Sequence, residues 1–280
     1  MKLLRFGPLG DEKPGLLDGD GNIRDLSGEV ADIAGVALLP ESLAKLRALD
    51  ECSLPLVEGA PRIGVCAGAV GKFVCAGLNY ADHAAEAGLE MPSEPVLFMK
   101  ATSTLCGACD DIEIPRGSVK TDWEVELGMV IGKPGRNIPE ESASEHIAGY
   151  CVINDVSERD FQLAHEGQWV KGKSHDSFGP AGPWLVTADE VSDPQKLSLW
   201  LEVDGKRHQY GSTRTMVFGA VFLVSYISRF MSLQSGDIIS TGTPPGVGMG
   251  QNPPVFLKAG NIVTLGIEGL GEQEHTCVQA

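Results

Sequence analysis

The chain has 280 residues, enough for one large domain or a large domain with a small appendage. Hydrophobic residues make up 42% and charged residues 21%, the balance of a soluble globular protein. A net charge of −16 argues against nucleic acid or an anionic membrane surface as a partner, since both need a basic patch. It leaves room for a small anionic substrate beside a bound dication.

Residues 1–68 read as a small N-terminal domain of short strands and turns. Residues 1–8 carry neither a long apolar core nor a cleavage signature. The seven cysteines are odd in number and scattered, which suits reduced thiols and a cytoplasmic protein. Residues 15–22 suggest a hairpin, and residues 40–49 a short helix. Asp18, Asp20, Asn22 and Glu29 sit at calcium-loop spacing, but Ile23 stands where such a loop needs glycine, so a plain turn is expected.

Residues 69–280 are strand-rich. Strands are expected at 72–77, 96–100, 112–115, 123–132, 148–154, 184–186, 197–203, 237–241 and 262–267. Helices are expected at 80–87, 157–163 and 215–231. The apolar run at 216–227 is shorter than the roughly 20 residues that a bilayer span takes. The fold class is therefore α+β, with a large, partly closed system of mixed sheets rather than regular βαβ alternation. Cys106 and Cys109 form a lone CxxC, weak support for zinc or redox chemistry without a second pair.

The sharpest signal lies at 123–131. Trp123, Val125, Leu127, Met129 and Ile131 alternate, giving one apolar strand face. Glu124 and Glu126 share the other face, where two carboxylates repel unless a proton or cation joins them. A hard metal ion with oxygen ligands answers that need. Asp155, ending the next apolar strand, is either a third ligand or the N-cap of the helix after it. His83 and Glu86, three apart after a capping Asn79, form either a general base with its orienting carboxylate or a solvated pair. Lys173 follows Trp169 in a polar stretch and suits an enolate or a carboxylate as well as solvent. Arg159 and Gln162 suit a substrate clamp or the surface equally. Residues 240–248 match no nucleotide motif and read as a rigid loop offering N–H groups and Thr243 to a small ligand.

Five motifs in order make a resemblance specific: GLNYADHAAE at 77–86, DWEVEL at 122–127, NDVSERDFQ at 154–162, KGKS at 171–174 and STGTP at 240–244. Together they resemble the fumarylacetoacetate hydrolase family over roughly residues 70–270. The N-terminus is similar to the small first domain of a bacterial branch, often labelled ureidoglycolate lyase, some of whose members hydrolyse 2,4-diketo-3-deoxy sugar acids. The resemblance implies a barrel-like catalytic domain of mixed sheets, a homodimer, and Mg²⁺ or Mn²⁺ on Glu124, Glu126 and Asp155. It implies water activation by His83 and Glu86 on a lid helix. It implies a small keto-acid substrate among Lys173, Arg159, Gln162 and Thr243. The implied activity is hydrolytic C–C cleavage of a 2,4-diketo acid to pyruvate and a second acid. Oxaloacetate decarboxylation, ureidoglycolate lysis, isomerisation of 2-hydroxyhepta-2,4-diene-1,7-dioate and keto-acid binding without turnover are its rivals. Two departures stand out: Asn79 and Tyr80 replace a fourth carboxylate, and Tyr210 stands where relatives often carry Asp.

Overall fold

The structure, a computed structural model, describes residues 1–82, 91–164 and 166–280. It is α+β, with strands dominant and helices short. Val125–Ile131 is buried at all seven positions and lies at the centre of a ten-stranded mixed sheet. The sheet order is Ile23–Asp25, Lys13–Leu17, Lys2–Phe6, Gly179–Thr187, Ile147–Asn154, Val125–Ile131, Ile238–Ser240, Phe73–Gly77 and Val96–Lys100, with Leu105–Cys106 added beside Gly179–Thr187. Its path is open, so the described strands form no closed barrel. A five-stranded sheet of Lys206–Ser212, Ser198–Val203, Ile262–Ile267, Gly271–Gln279 and Ile112–Ile114 covers one side.

Both faces of the central strand are covered. Val125, Leu127, Met129 and Ile131 join Leu199, Leu201, Val263 and Leu265 in one core. On the opposite face Val130 packs with Leu3, Leu16, Leu38 and Ile153. The even-numbered face thus changes from carboxylates at its start to core at its end. Gly128, between them, has no room for a side chain: a Cβ there would lie 2.6 Å from Ile153 Cγ1. Residues 1–68 extend the same sheet, because Lys2 and Leu3 pair with Val186 and Leu185.

The 15–22 hairpin forms around a turn in which Asp18 Oδ1 accepts from the N–H groups of Asp20 and Asn22. The helix read at 157–163 starts only at Arg159, because Ser157 and Glu158 pair with Asp122 and Thr121. Glu158, not Asp155, is its N-cap, accepting from Asp160 N. The helix read at 215–231 shortens to Ala220–Ile227 behind Gly219. Of the helix read at 80–87, only residues 80–82 are described: Tyr80 bridges to Met216, and Ala81 and Asp82 are helical. No helix among the described residues is long and apolar enough to cross a membrane.

Candidate active site

The antiparallel register builds the site. Val125 faces Asn154 and Glu126 faces Ile153, so the carboxylates beside this ladder end meet. Asp155 N donates to Glu124 O at 2.9 Å, and Glu124 N to Asn154 Oδ1 at 3.2 Å. Glu124, Glu126 and Asp155 are all buried, and one carboxylate oxygen from each lies within 4.8 Å of the others.

Three cations are buried among these acids. Lys173, at the end of the short helix Val170–Lys173, bonds Glu124 Oε2 at 2.8 Å and Asp155 Oδ2 at 2.7 Å. Lys100, the last residue of Val96–Lys100, bonds Asp155 Oδ1 at 2.5 Å and Val156 O at 2.9 Å. Arg159 bonds Asp122 Oδ2 at 2.8 Å and Glu124 Oε1 at 2.6 Å, and donates to Gln162 Oε1 at 3.1 Å. Asp122 is further held by the N–H groups of Trp123, Gly248 and Met249.

Three cations therefore face four carboxylates, Asp122 included. Burial pushes the Glu126 carboxyl well above its usual range, and Asp155 and Glu124 add to that rise. Burial also works against the charged form of Glu124, but Lys173 and Arg159 outweigh it and hold that carboxyl below the usual range. The same contest favours the charge on Lys173, where Asp155 and Glu124 overcome burial. At Lys100 burial wins over Asp155 and lowers the ammonium. Glu126 Oε2 accepts from Ser240 Oγ at 2.5 Å and Gly242 N at 2.9 Å, and no hydrogen bond to its Oε1 occurs among the described residues. Three hard oxygens with one carboxylate underused fit a divalent cation.

Glu124, Glu126, Arg159 and Lys173 line the floor of a cavity of about 560 Å³, along with Gln162, Thr243, Phe98 and Trp169. Trp169 meets Phe98 edge-on, with centroids 5.2 Å apart, and seats against Gly77, where a Cβ would come within 2.7 Å of the indole. Thr243 Oγ1 donates to Val125 O and accepts from Gln209 Nε2, so it lines the cavity from a fixed position.

Six residues singled out in the sequence thus line this cavity: Glu124, Glu126, Arg159, Gln162, Lys173 and Thr243; Asp155 touches it through Lys173. His83 and Glu86 lie outside the described residues. Asn79 does not cap a helix at Tyr80. Its side chain bonds Phe218 N, Phe218 O and Thr241 O, pinning the chain beside the cavity-lining Leu78. The 240–248 loop turns two N–H groups, those of Gly242 and Gly248, onto Glu126 and Asp122 rather than offering them to a ligand. Tyr210 is 73% exposed on a strand, away from the cavity. Burial pushes the Cys106 thiol up and Cys109 is unpaired, which gives no support to a thiolate pair. Sequence reading missed Lys100, Asp122 and Ser240. A lysine closing an apolar strand was the available signal for the first.

Comparison with known proteins agrees with this geometry. Residues 72–278 match the family model described as the fumarylacetoacetate (FAA) hydrolase C-terminal domain. A Burkholderia multivorans relative, described only in general terms as a hydrolase, is 65% identical over 274 residues, covering 98% of this chain and 97% of that one. The fumarylacetoacetate hydrolase of psychrophilic Exiguobacterium antarcticum is 34% identical with a TM-score of 0.87, each chain covered in full. Maleylpyruvate hydrolase from Sphingobium sp. SYK-6, solved with manganese(II) and pyruvate, is 28% identical with a TM-score of 0.82, again over both full chains. A domain match over most of the chain, a shared fold and a divalent-metal donor set lead to one conclusion: the chain belongs to the fumarylacetoacetate hydrolase family of enzymes.

Proposed function

We propose that the protein hydrolyses a C–C bond in a 2,4-diketo acid, releasing pyruvate and a second acid. The observation that carries this reading is the cluster of Glu124, Glu126 and Asp155 with Lys173 at the floor of the cavity. With all four carboxylates ionised, as ligation of a cation requires, three cations leave one excess negative charge. A dication turns that into one excess positive charge, the complement of a single substrate carboxylate. Glu124, Glu126 and Asp155 would hold Mg²⁺ or Mn²⁺, which when bound supplies a Lewis acid for the 2-oxo group.

The remaining chemistry belongs to the chain. Lys173 spends two of its three N–H donors on Glu124 and Asp155, which leaves one for an oxygen that gains charge. Arg159, locked by Asp122 and Glu124, contributes charge more than a free fork, while Gln162 and Thr243 position the substrate. His83, supported by Glu86, takes a proton from water. The hydroxide formed adds to C4, and the C3–C4 bond breaks with its electron pair moving to C3 as pyruvate enolate. Protonation at C3 then gives pyruvate, so water is divided between the two products. Leu78 lines the cavity beside the pinned Asn79, and His83 follows four residues after Asn79 in the sequence.

The test separates metal from water. His83→Ala is expected to keep Mn²⁺ binding, measured by calorimetry, and to lose diketo-acid hydrolysis. Hydrolysis by that variant at the wild-type rate overturns the role of His83. Oxaloacetate decarboxylation, which needs no attacking water, would survive His83→Ala. An enzyme active on oxaloacetate alone therefore belongs to the decarboxylase reading instead.

A further inference from the structure

We infer that the group beyond C4 of the substrate is an uncharged, apolar alkyl or aryl chain, neither a second carboxylate nor a polyol. This deepens the diketo-acid reading and rests on it for the pyruvyl end. The cavity has two chemically distinct walls. Its charged floor holds every Lys and Arg among its described lining residues, namely Arg159 and Lys173, and both are already bonded to buried carboxylates. The rest of the wall is largely Leu78, Phe98, Leu163, Trp169, Val247 and Met249.

Beyond Leu163 and Met249 the apolar surface continues. A second cavity of about 410 Å³ shares those two residues and Arg159, and adds Ala164, Pro254 and Phe256. Its other cation, Lys120, is bonded to Asp160 Oδ1 at 3.1 Å, and both side chains are substantially exposed to water. Among the described lining residues, a distal carboxylate drawn into this space would give up hydration and find only Lys120, whose charge is already shared with Asp160, an unfavourable exchange against the apolar wall. A polyol would lose its hydrogen bonds to water against Leu, Met, Phe and Pro. An alkyl or aryl chain gains from the same wall.

The experiment uses two 2-oxo acids that share the pyruvyl end and are matched in length. One is 2-oxooctanoate; the other is 2-oxosuberate, which ends in a second carboxylate. Binding to the Mn²⁺-loaded protein is measured by calorimetry, and needs no turnover. The expected result is that 2-oxooctanoate binds roughly 10- to 100-fold more tightly, the scale of a few methylenes in an apolar pocket against a charged end. In Met249→Arg, which places a cation on the wall shared by the two cavities, the ranking is expected to narrow or reverse. Equal or tighter binding of 2-oxosuberate to the wild type overturns the proposal, and its loss in Lys120→Ala would identify the anion's receptor. The wild-type ranking decides the matter even where Met249→Arg fails to fold. Turnover is scored separately, with hexanoylpyruvate and its ω-carboxylated analogue. Tight binding of the alkyl acid without cleavage of either diketo acid refutes hydrolysis and leaves the apolar subsite standing. Binding of neither acid refutes both.

Discussion

Asp18 and Asp155 each follow directly after a strand and each is buried, yet they are satisfied in opposite ways. Asp18 is served from within its own turn: Asp20 N, Asn22 N and the Arg24 guanidinium all lie within six residues. Asp155 takes Lys100 from 55 residues before it and Lys173 from 18 residues after, and faces Glu124 and Glu126 besides. A buried acid that its own turn neutralises is a structural device. A buried acid crowded by like charges and held by distant cations in a cavity is costly to fold, and that cost points to chemistry. Calcium-like spacing at Asp18 and carboxylate pairing at Glu124 look comparable in sequence; the partners distinguish them.

The largest test of this contrast is Glu126→Gln. Loss of a metal ligand is expected to lower turnover by more than the roughly 10- to 100-fold typical of a residue that only orients one. The change should also flatten the metal response of stability. Saturating Mn²⁺ at 100 times its Kd adds about 2.7 kcal/mol to the wild type, read as a rise in Tm that a chelator reverses. In Glu126→Gln that rise should shrink, while the metal-free Tm should not fall, because an amide of the same shape replaces a carboxyl already pushed toward its neutral form. A lower metal-free Tm with an intact metal response would make Glu126 a structural acid like Asp18.

Next in size is Lys100→Met. Lys100 and Asp155 are fully buried partners, and breaking such a pair costs roughly 3–5 kcal/mol. Denaturant unfolding of the metal-free protein should show that loss. Removing a positive charge beside the carboxylates should at the same time tighten Mn²⁺ binding in calorimetry. Weaker Mn²⁺ binding would mean that Lys100 shapes the site rather than balancing its charge.

Much of this was legible because strand period is local. The alternation at 123–131 placed Glu124 and Glu126 side by side, and the apolar run ending at Asn154 placed Asp155 at a ladder end. What escaped depends on register between distant segments. Asn79 has the composition of a cap, but its amide is spent 139 and 162 residues away. Residues 206–212, KRHQYGS, carry no apolar alternation. They become a strand because Ser198–Val203 offers a ladder, and Gln209 then reaches Val125 N. Lys100 belongs to the site only because Phe73–Gly77 and Ile238–Ser240 carry Val96–Lys100 to the edge of the same sheet. The opposite shifts of Glu124 and Glu126 likewise arise because Lys173 and Arg159 bond the first while burial and acidic neighbours dominate the second, a matter of packing that no spacing rule encodes.

The smallest effect separates the turn from the site by pH. The N–H of Asn22 and the Arg24 guanidinium hold the Asp18 carboxyl down at about 2, against roughly 3.9 for an unperturbed Asp. A depressed folded-state pKa stabilises above the unfolded value, and that stabilisation is lost as pH falls from about 4 through about 2. Asp18→Asn should therefore melt slightly below the wild type at pH 7, and the gap should close on acidification through that window. Because its partners are a turn and one arginine, metal should leave the gap unchanged. A gap that depends on Mn²⁺ would mean that Asp18 binds the ion, and would remove the distinction between a locally satisfied acid and a functional one.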